Sequence, residues 1–164
     1  MHLLEEIKRI QKHHPEKITI FVDMDGVVAD YRFGEGENIK SNKRGVYINK
    51  RPIYTTINNL RKINDEIDCR MCILSSCLYK EQAEEKKQWL NRYMPFIKNE
   101  NMLFILPKDF ESRKKLKIEK IKELIDSKEC ELAIIIDDTH EILFLAISEL
   151  KEKVIPFHVI SLID

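Results

Sequence analysis

Short apolar runs alternate with amphipathic stretches along most of the chain. Residues 18–22 read Ile-Thr-Ile-Phe-Val, a mostly β-branched run that is too short for a helix and therefore predicts a buried strand. Similar apolar runs predict four more strands, at residues 69–74, 102–106, 132–136 and 154–160. Strands that are apolar throughout are typical of a parallel sheet with both faces covered.

The stretches between these runs carry apolar residues at helical spacing. They predict a first helix that ends near His13 and His14, and further helices over roughly residues 51–63, 80–94, 118–125 and 139–149. In the helix over 80–94 we expect Ala83, Lys87 and Leu90 to lie on one face. The alternation predicts an α/β fold, a Rossmann-like three-layer α/β/α sandwich with a mostly parallel five-stranded sheet.

One segment interrupts this alternation. Residues 31–50 have mixed charge, little periodicity and three of the four glycines of the chain, which are Gly34, Gly36 and Gly45. Such a stretch is typical of a mobile loop or a small flap. With no repeat or linker elsewhere, residues 1–164 are predicted to form a single domain in which residues 31–50 are a short cap or flap insertion.

The charge balance removes several classes of function. Lys+Arg and Asp+Glu number 28 each, so the formal net charge is zero, and we expect no general binding to nucleic acid or to a membrane surface. No apolar run approaches the roughly 18–20 residues of a membrane span, and the N-terminus does not read as a secretory signal. Four cysteines in 164 residues do not form a disulfide framework, which favours a reducing, cytoplasmic location.

Polar residues follow three of the predicted strands at the point where each strand ends. The first strand is followed by Asp23-Met24-Asp25-Gly26, the second ends in Ser75-Ser76, and the fourth is followed by Asp137-Asp138. In an open parallel sheet, ligands bind in the crevice beyond the carboxyl ends of the strands. We therefore expect these three groups of residues to meet at one site, although they are far apart in the sequence.

The residue types at this site indicate metal and phosphate chemistry. Carboxylates that lie close together repel one another unless a cation sits among them, and hard oxygen ligands suit Mg²⁺. The candidate magnesium ligands are Asp23, Asp25, Asp137 and Asp138. With the repulsion shielded, Asp23 could attack the phosphorus of a phosphate monoester, and Asp25 could serve as general acid and base.

Further residues are candidates for holding the phosphate. Gly26 would let backbone N–H groups approach it closely, and the hydroxyl groups of Ser75 and Ser76 could donate hydrogen bonds to its oxygens. A lysine should complete the charge balance, and the basic stretch after the third strand offers Lys108, Lys114 and Lys115.

Each motif also has a structural interpretation. An Asp-x-Asp sequence is common in turns, Ser75-Ser76 could be a polar strand exit, and Asp137-Asp138 could cap the following helix. The coincidence of all three at strand ends favours the chemical interpretation.

With these residues in place, the chain resembles the haloacid dehalogenase superfamily of phosphohydrolases. The resemblance implies that Asp23 forms an aspartyl-phosphate, that Ser75 is the second motif and Asp137-Asp138 the fourth, and that a lysine is the third. It further implies that Mg²⁺ is held by the Asp23 carboxylate, the Asp25 backbone carbonyl and an acidic residue of the last motif, for which we favour Asp137. By its spacing to the following helix stripe we favour Lys114 as the catalytic lysine, with Lys115 second.

A closer similarity is to the 5'(3')-deoxyribonucleotidases, which hydrolyse nucleoside monophosphates. Residues 23–31, Asp-Met-Asp-Gly-Val-Val-Ala-Asp-Tyr, are similar to the first motif of that group, and residues 51–65 and 85–90 resemble its helices on either side of the second motif. Those enzymes usually carry a helical cap that shapes the nucleoside pocket, where this chain has only residues 31–50. Tyr31, Phe33 and Tyr47 are the aromatic residues there that could stack on a base.

Two other classes of function fit parts of the pattern. A phosphatase with the same core could act on a nucleic-acid end, a phosphoprotein or a small metabolite, since a short cap would leave the site open. A receiver-like signalling domain also uses carboxylates, a hydroxyl group and a lysine around Mg²⁺. Receivers place paired acids after the first strand and their phosphoacceptor in mid-chain, whereas here the acid pair follows the fourth strand.

Overall fold

The computed structural model describes residues 2–14, 17–30, 45–109 and 111–163. Five α-helices, five strands and three short 3₁₀ helices follow one another in these residues. In chain order the helices and strands are α1 His2–His13, β1 Ile18–Val22, α2 Tyr54–Glu66, β2 Arg70–Ser76, α3 Lys80–Tyr93, β3 Met102–Ile105, α4 Ser112–Asp126, β4 Leu132–Asp137, α5 His140–Leu150 and β5 Val154–His158. The 3₁₀ helices are Asn99–Asn101, Lys151–Lys153 and Val159–Leu162. Within the described residues, no helix has both the length and the apolar character needed to cross a bilayer.

The five strands form one sheet in the order β3-β2-β1-β4-β5, and every pair is parallel. The chain runs outward from β1 through β2 to β3, and then returns past β1 to form β4 and β5. The topological switch point, where ligands bind in folds of this kind, therefore lies between β1 and β4. The predicted α/β fold with its five-stranded parallel sheet is confirmed.

Helices cover both faces of the sheet, which is why the strands are apolar throughout. On one face, apolar residues of α1, α2 and α3, such as Ile7, Ile57 and Trp89, pack against alternate residues of β1. On the other face, α4 and α5 pack over the intervening position Phe21 through residues such as Ile118. The sheet thus forms the middle of three layers, with the polar residues at its strand ends.

The boundaries of the helices differ in detail from the predicted ones. The helix predicted from Arg51 begins only at Tyr54, because Pro52 pairs with Ala29 in an isolated bridge and Ile53, the residue before the helix, has non-helical backbone angles. In α3 the predicted inner face is rotated by one position. The residues buried there are Gln82, Lys86, Trp89 and Leu90.

The segment predicted as a cap or flap lies largely outside the described residues, which resume at Gly45. Residues 45–49 form turns and lead into Lys50, which is buried. Tyr31 and Phe33 fall outside the described range, while Tyr47 lies within it and is half-buried.

Candidate active site

Three carboxylates meet at the switch point between β1 and β4. Val22, the last residue of β1, pairs with Ile136 of β4, and the N–H of Asp23 donates to the carbonyl of Ile136 at 2.9 Å. This register places Asp23 beside Asp137. Oxygen atoms of Asp23, Asp137 and Asp138 lie within 4.8 Å of one another. We call these three residues the carboxylate cluster.

A lysine from α4 lies within the carboxylate cluster, and it is Lys117. Its Nζ donates to Asp23 Oδ1 at 2.6 Å and to Asp137 Oδ2 at 2.9 Å, and its side chain is only 6% exposed. The lysines predicted from the sequence lie elsewhere. Lys114 forms an ion pair with Glu141 on α5.

The other two candidate lysines are at the surface. Lys115 is 78% exposed and pairs with Glu119 on its own helix. Lys108 is exposed in the turn after β3. The side chains of residues 114, 115 and 117 leave α4 in different directions and at different positions along its axis. Of the three, Lys117 is the one whose ammonium lies within the carboxylate cluster.

The protonation behaviour of the cluster reflects crowded, buried acids. Burial raises the pKa of Asp23 to about 6, and the nearby charges of Asp137 and Asp25 add to the increase while Lys117 opposes it. Burial and the charge of Asp23 also raise the pKa of Asp138. Three acids with a single lysine therefore repel one another, and a divalent cation would relieve this repulsion.

Asp25 faces a different environment, with two lysines on one carboxylate. Lys86 of α3 donates to Asp25 Oδ2 at 2.6 Å, and Lys50 Nζ lies 3.1 Å from Asp25 Oδ1. Burial by itself would raise the pKa of Asp25, but Lys86 and Lys50 more than offset this and hold that pKa below its usual value. Oδ1 is buried and has no hydrogen-bond partner among the described residues.

Ser75 and Ser76 end β2 next to this group. The ammonium of Lys86 donates to Ser75 Oγ and to the Ser76 carbonyl, each at 2.9 Å. An ammonium has three donors and no acceptor, so Lys86 uses all three in these bonds and in the one to Asp25. Ser75 is the acceptor in its bond, which leaves its hydroxyl proton to be donated elsewhere.

Gly26 allows the carboxylate cluster to close. Its φ of +82° belongs to the left-handed region, and a Cβ there would lie 2.9 Å from Asp138 Cγ and even closer to Asp138 Oδ2. The Gly26 N–H donates to the Ala29 carbonyl at 2.8 Å, so it closes a turn. The structure thus supplies a second reason for glycine at this position, beside the predicted approach of backbone N–H groups to phosphate.

Gly26→Ala is expected to displace the Asp138 carboxylate and to weaken metal binding. The variant should need about tenfold more Mg²⁺ for half-maximal activity, which corresponds to about 1.4 kcal/mol of lost binding, and strain at positive φ should lower its free energy of unfolding by about 1–2 kcal/mol. Magnesium titrations of activity and thermal melts measure the two effects.

Gly45→Ala is the matched control for this substitution. Gly45 has a φ of +91°, so the variant carries the same backbone penalty, but the neighbours of an added Cβ are Asn49 and Ile48 rather than a carboxylate. It should lose stability and keep its magnesium dependence. An unchanged magnesium requirement in Gly26→Ala would contradict the role given to Asp138.

The carboxylate cluster has the chemistry of a magnesium site. All three side chains offer hard oxygen ligands within 4.8 Å of one another, and burial together with neighbouring acids raises the pKa of Asp23 and of Asp138. Both oxygens of Asp137 already accept hydrogen bonds, one from the Thr139 N–H at 2.9 Å and one from Lys117. Asp138 Oδ2 instead lies over Gly26, and Asp138 contributes to the same cluster of possible ligands as Asp137.

The structural interpretation of the acid pair as a helix cap explains only part of its geometry. Thr139 is the cap residue of α5, and no side-chain hydrogen bond caps this helix. Asp137 does accept from the Thr139 N–H, but its second oxygen faces Lys117 and the cluster. Asp137 therefore shapes the turn before α5 and also belongs to the site.

A comparison with known families agrees with this geometry. A protein-family model described as 5' nucleotidase, deoxy (pyrimidine), cytosolic type C protein matches residues 38–148, more than half of the chain. The chain belongs to this family. The family is part of the haloacid dehalogenase superfamily, so the predicted membership is confirmed. No curated protein matches the chain significantly.

The match to the nucleotidase family covers most of the site. Lys50, Ser75, Lys86, Lys117 and the acid pair after β4 all lie within the matched residues. Asp23 and Asp25 precede them, and their assignment depends on the geometry of the strand ends. Membership in this family makes the chain a nucleotidase or phosphatase of the haloacid dehalogenase type.

Three lysines of the site were not identified from the sequence. Lys117 stands one position before Ile118 and four before Ile121, and Lys86 stands three before Trp89, so each lies on the buried face of its helix. That spacing was the available signal. Lys50 stands in the irregular segment before α2, where periodicity carries no information.

Proposed function

We propose that this protein is a magnesium-dependent 5'-nucleotidase that hydrolyses (deoxy)nucleoside monophosphates through an aspartyl-phosphate on Asp23. The observation that carries the proposal is the position of Asp23 at the end of the central strand, within 4.8 Å of two further carboxylates and 2.6 Å from Lys117. Membership in the nucleotidase family supports the same reaction and a small phosphorylated nucleotide as substrate.

In the first step, a carboxylate oxygen of Asp23 attacks phosphorus, and the bond between phosphorus and the leaving oxygen breaks. Lys117 holds the attacking carboxylate in place and reduces its repulsion from the phosphate. Asp25, which lies two residues after the nucleophile, donates a proton from its carboxyl group to the leaving oxygen. The products of this step are the nucleoside and the aspartyl-phosphate.

In the second step, water attacks the phosphorus of the aspartyl-phosphate. The Asp25 carboxylate accepts the proton of that water, and the Asp23 carboxylate leaves with its electron pair, releasing inorganic phosphate. The two lysines that hold the pKa of Asp25 low favour the carboxylate form that this step needs. The first step needs the protonated form, and the phosphate of a bound substrate would offset the charge of those lysines.

The remaining residues would bind and shield the phosphate. The hydroxyl proton of Ser75 is available for a phosphoryl oxygen, and Ser76 lies at the same strand end. Asp23, Asp137 and Asp138, with the backbone carbonyl of Asp25, would hold Mg²⁺. When bound, the ion would supply positive charge to the phosphoryl oxygens. Lys114 and Lys115 have no place in this assignment, since Lys117 takes the role predicted for them.

A phosphatase of the same family type with another substrate is the second candidate. Residues 31–44, which include Tyr31 and Phe33, lie outside the described structure. Nucleic-acid 3' ends, phosphoproteins and small phosphorylated metabolites remain the alternatives. The family is described as cytosolic, which supports the expected cytoplasmic location.

A substrate panel tests the proposed function. We expect Mg²⁺-dependent release of phosphate from (deoxy)nucleoside 5'-monophosphates, loss of all turnover in EDTA, and recovery when Mg²⁺ is restored. The panel includes 3'-phosphorylated oligonucleotides, phosphopeptides and sugar phosphates at equal concentration. A lower kcat/KM for mononucleotides than for these would reject the nucleotidase assignment, and turnover that persists in EDTA would reject the magnesium-dependent mechanism.

A further inference from the structure

Two buried ammonium groups share a single carboxylate on one side of the candidate active site. Lys86 is completely buried and Lys50 is 6% exposed, and they approach opposite oxygens of Asp25. Lys86 uses all of its donors on Asp25, Ser75 and Ser76. We call Lys50 and Lys86 the lysine pair.

The formal charges of the site are separated into two halves. The carboxylate cluster sets three acids against the single Lys117, so this half is negative. The lysine pair sets two cations against Asp25, so that half is positive. Buried charges are costly unless they are compensated. A divalent cation compensates the first half, and an anion such as a phosphoryl group compensates the second.

Lys50 is brought to this half by a set of contacts with α3. The carboxylate of Glu85 accepts hydrogen bonds from the N–H groups of Gly45, at 2.6 Å, and Tyr47, at 3.1 Å. Four residues further along the same helix, Trp89 Nε1 donates to the carbonyl of Lys50 at 2.8 Å. These three hydrogen bonds hold residues 45–50 against α3, the helix that also carries Lys86.

The ring of Tyr47 lies against both members of the lysine pair. Its centroid is 4.5 Å from Lys86 Nζ and 5.1 Å from Lys50 Nζ, within the range of cation–π contacts. The contacts of residues 45–50 with α3 therefore place the ammonium of Lys50 and the ring of Tyr47 together beside Lys86. Lys50 Nζ forms an ion pair with Asp25 Oδ1 at 3.1 Å and donates to the Asp30 carbonyl at 3.5 Å.

We propose that Lys50 binds the phosphoryl group of the substrate, and that Glu85 positions Lys50 by holding residues 45–50 against α3. The proposal rests on the proposed function, because it names a binding residue of the same site. Lys50 supplies the additional positive charge on the side of the site where the phosphate and its leaving oxygen must lie, next to Asp25.

Substitution of Lys50 tests the first half of the proposal. Lys50→Met should raise KM and the inhibition constant of inorganic phosphate by about ten- to hundredfold, the effect of losing one charge-assisted hydrogen bond. Lys50→Arg should recover most of the binding, because it keeps the charge. Lys115→Met, at an exposed position, is the matched control. Unchanged KM and phosphate inhibition in Lys50→Met, with the wild-type protein active, would overturn the assignment.

Substitution of Glu85 tests the second half. Glu85→Ala should raise KM severalfold, and the double variant Lys50→Met with Glu85→Ala should bind phosphate no more weakly than Lys50→Met alone, since Glu85 acts through Lys50. Its exposed neighbour Glu84 offers the control Glu84→Ala, which should behave as wild type. Independent effects that multiply in the double variant would overturn the positioning role.

A binding measurement separates this inference from the proposed function. Inorganic phosphate with Mg²⁺ should raise the melting temperature of the wild-type chain and raise that of Lys50→Met much less. This readout needs no turnover, so it tests Lys50 even if no monoester in the panel is hydrolysed. Equal shifts in both proteins would overturn the inference, whereas absence of hydrolysis by the wild type would overturn only the proposed function.

Discussion

Asp23→Asn is expected to lower kcat by about 10³-fold or more, because the amide is a far poorer nucleophile toward phosphorus than the carboxylate. This corresponds to about 4 kcal/mol or more of transition-state stabilisation. The fold should remain intact, since the change removes one of three mutually repelling acids and Lys117 keeps its bond to Asp137. Steady-state kinetics and circular dichroism measure the two properties.

A carboxylate far from the site is the control for this substitution. Asp126 is exposed at the end of α4, and Asp126→Asn should leave kcat unchanged. In parallel, Asp25→Asn should retain an aspartyl-phosphate that intact-mass spectrometry detects after substrate is added. Wild-type turnover in Asp23→Asn, or a phosphate adduct on that variant, would exclude Asp23 as the nucleophile.

Lys117→Met is expected to have the second large effect, lowering kcat by about 10²–10³-fold. The substitution removes the ammonium that holds Asp23 and Asp137 together at 2.6 and 2.9 Å. It also leaves three crowded acids without a cation, so the free energy of unfolding should fall by about 3–5 kcal/mol. Added Mg²⁺ should stabilise the variant more than the wild type, which thermal melts in a magnesium series can measure.

Lys114→Met is the matched comparison, three residues earlier on the same helix. Lys114 pairs with Glu141 at the surface of the site, so its loss should change kcat by less than about threefold and stability by less than about 1 kcal/mol. The comparison decides directly between the lysine favoured by sequence spacing and the one favoured by geometry. Loss of activity in Lys114→Met with normal activity in Lys117→Met would contradict the structural assignment.

The acidic and serine residues could be predicted because each follows directly on an apolar strand. A run such as residues 18–22 determines its own strand character, and the polar residue after it must emerge at the carboxyl end. Parallel strands bring all their carboxyl ends to one edge, so the order of residues along the chain is enough to group Asp23, Ser75 and Asp137. Their chemical roles remain proposals that the variants above test.

The lysines could not be chosen in this way, because helical spacing gives the face of a residue but not where the helix lies along the sheet. Lys114 and Lys117 both stand at helical spacing from Ile121, yet they differ by about 4.5 Å along the axis of α4. Only the packing of α4 on the sheet decides which ammonium reaches Asp23. The sequence also predicts that a lysine within a charged stretch is exposed to solvent, although Lys86 and Lys117 are both buried.

The sequence by itself determined the five-stranded α/β fold, the strand ends that carry the acids, and the family to which the chain belongs. These properties depend on neighbours in the chain, since a strand and the residue after it are continuous. Only the tertiary structure decided that Lys117 enters the carboxylate cluster, that Gly26 makes room for Asp138, and that α3 delivers Lys50 and Lys86 to Asp25. These contacts join elements remote in sequence, and their geometry follows from how helices pack on the sheet.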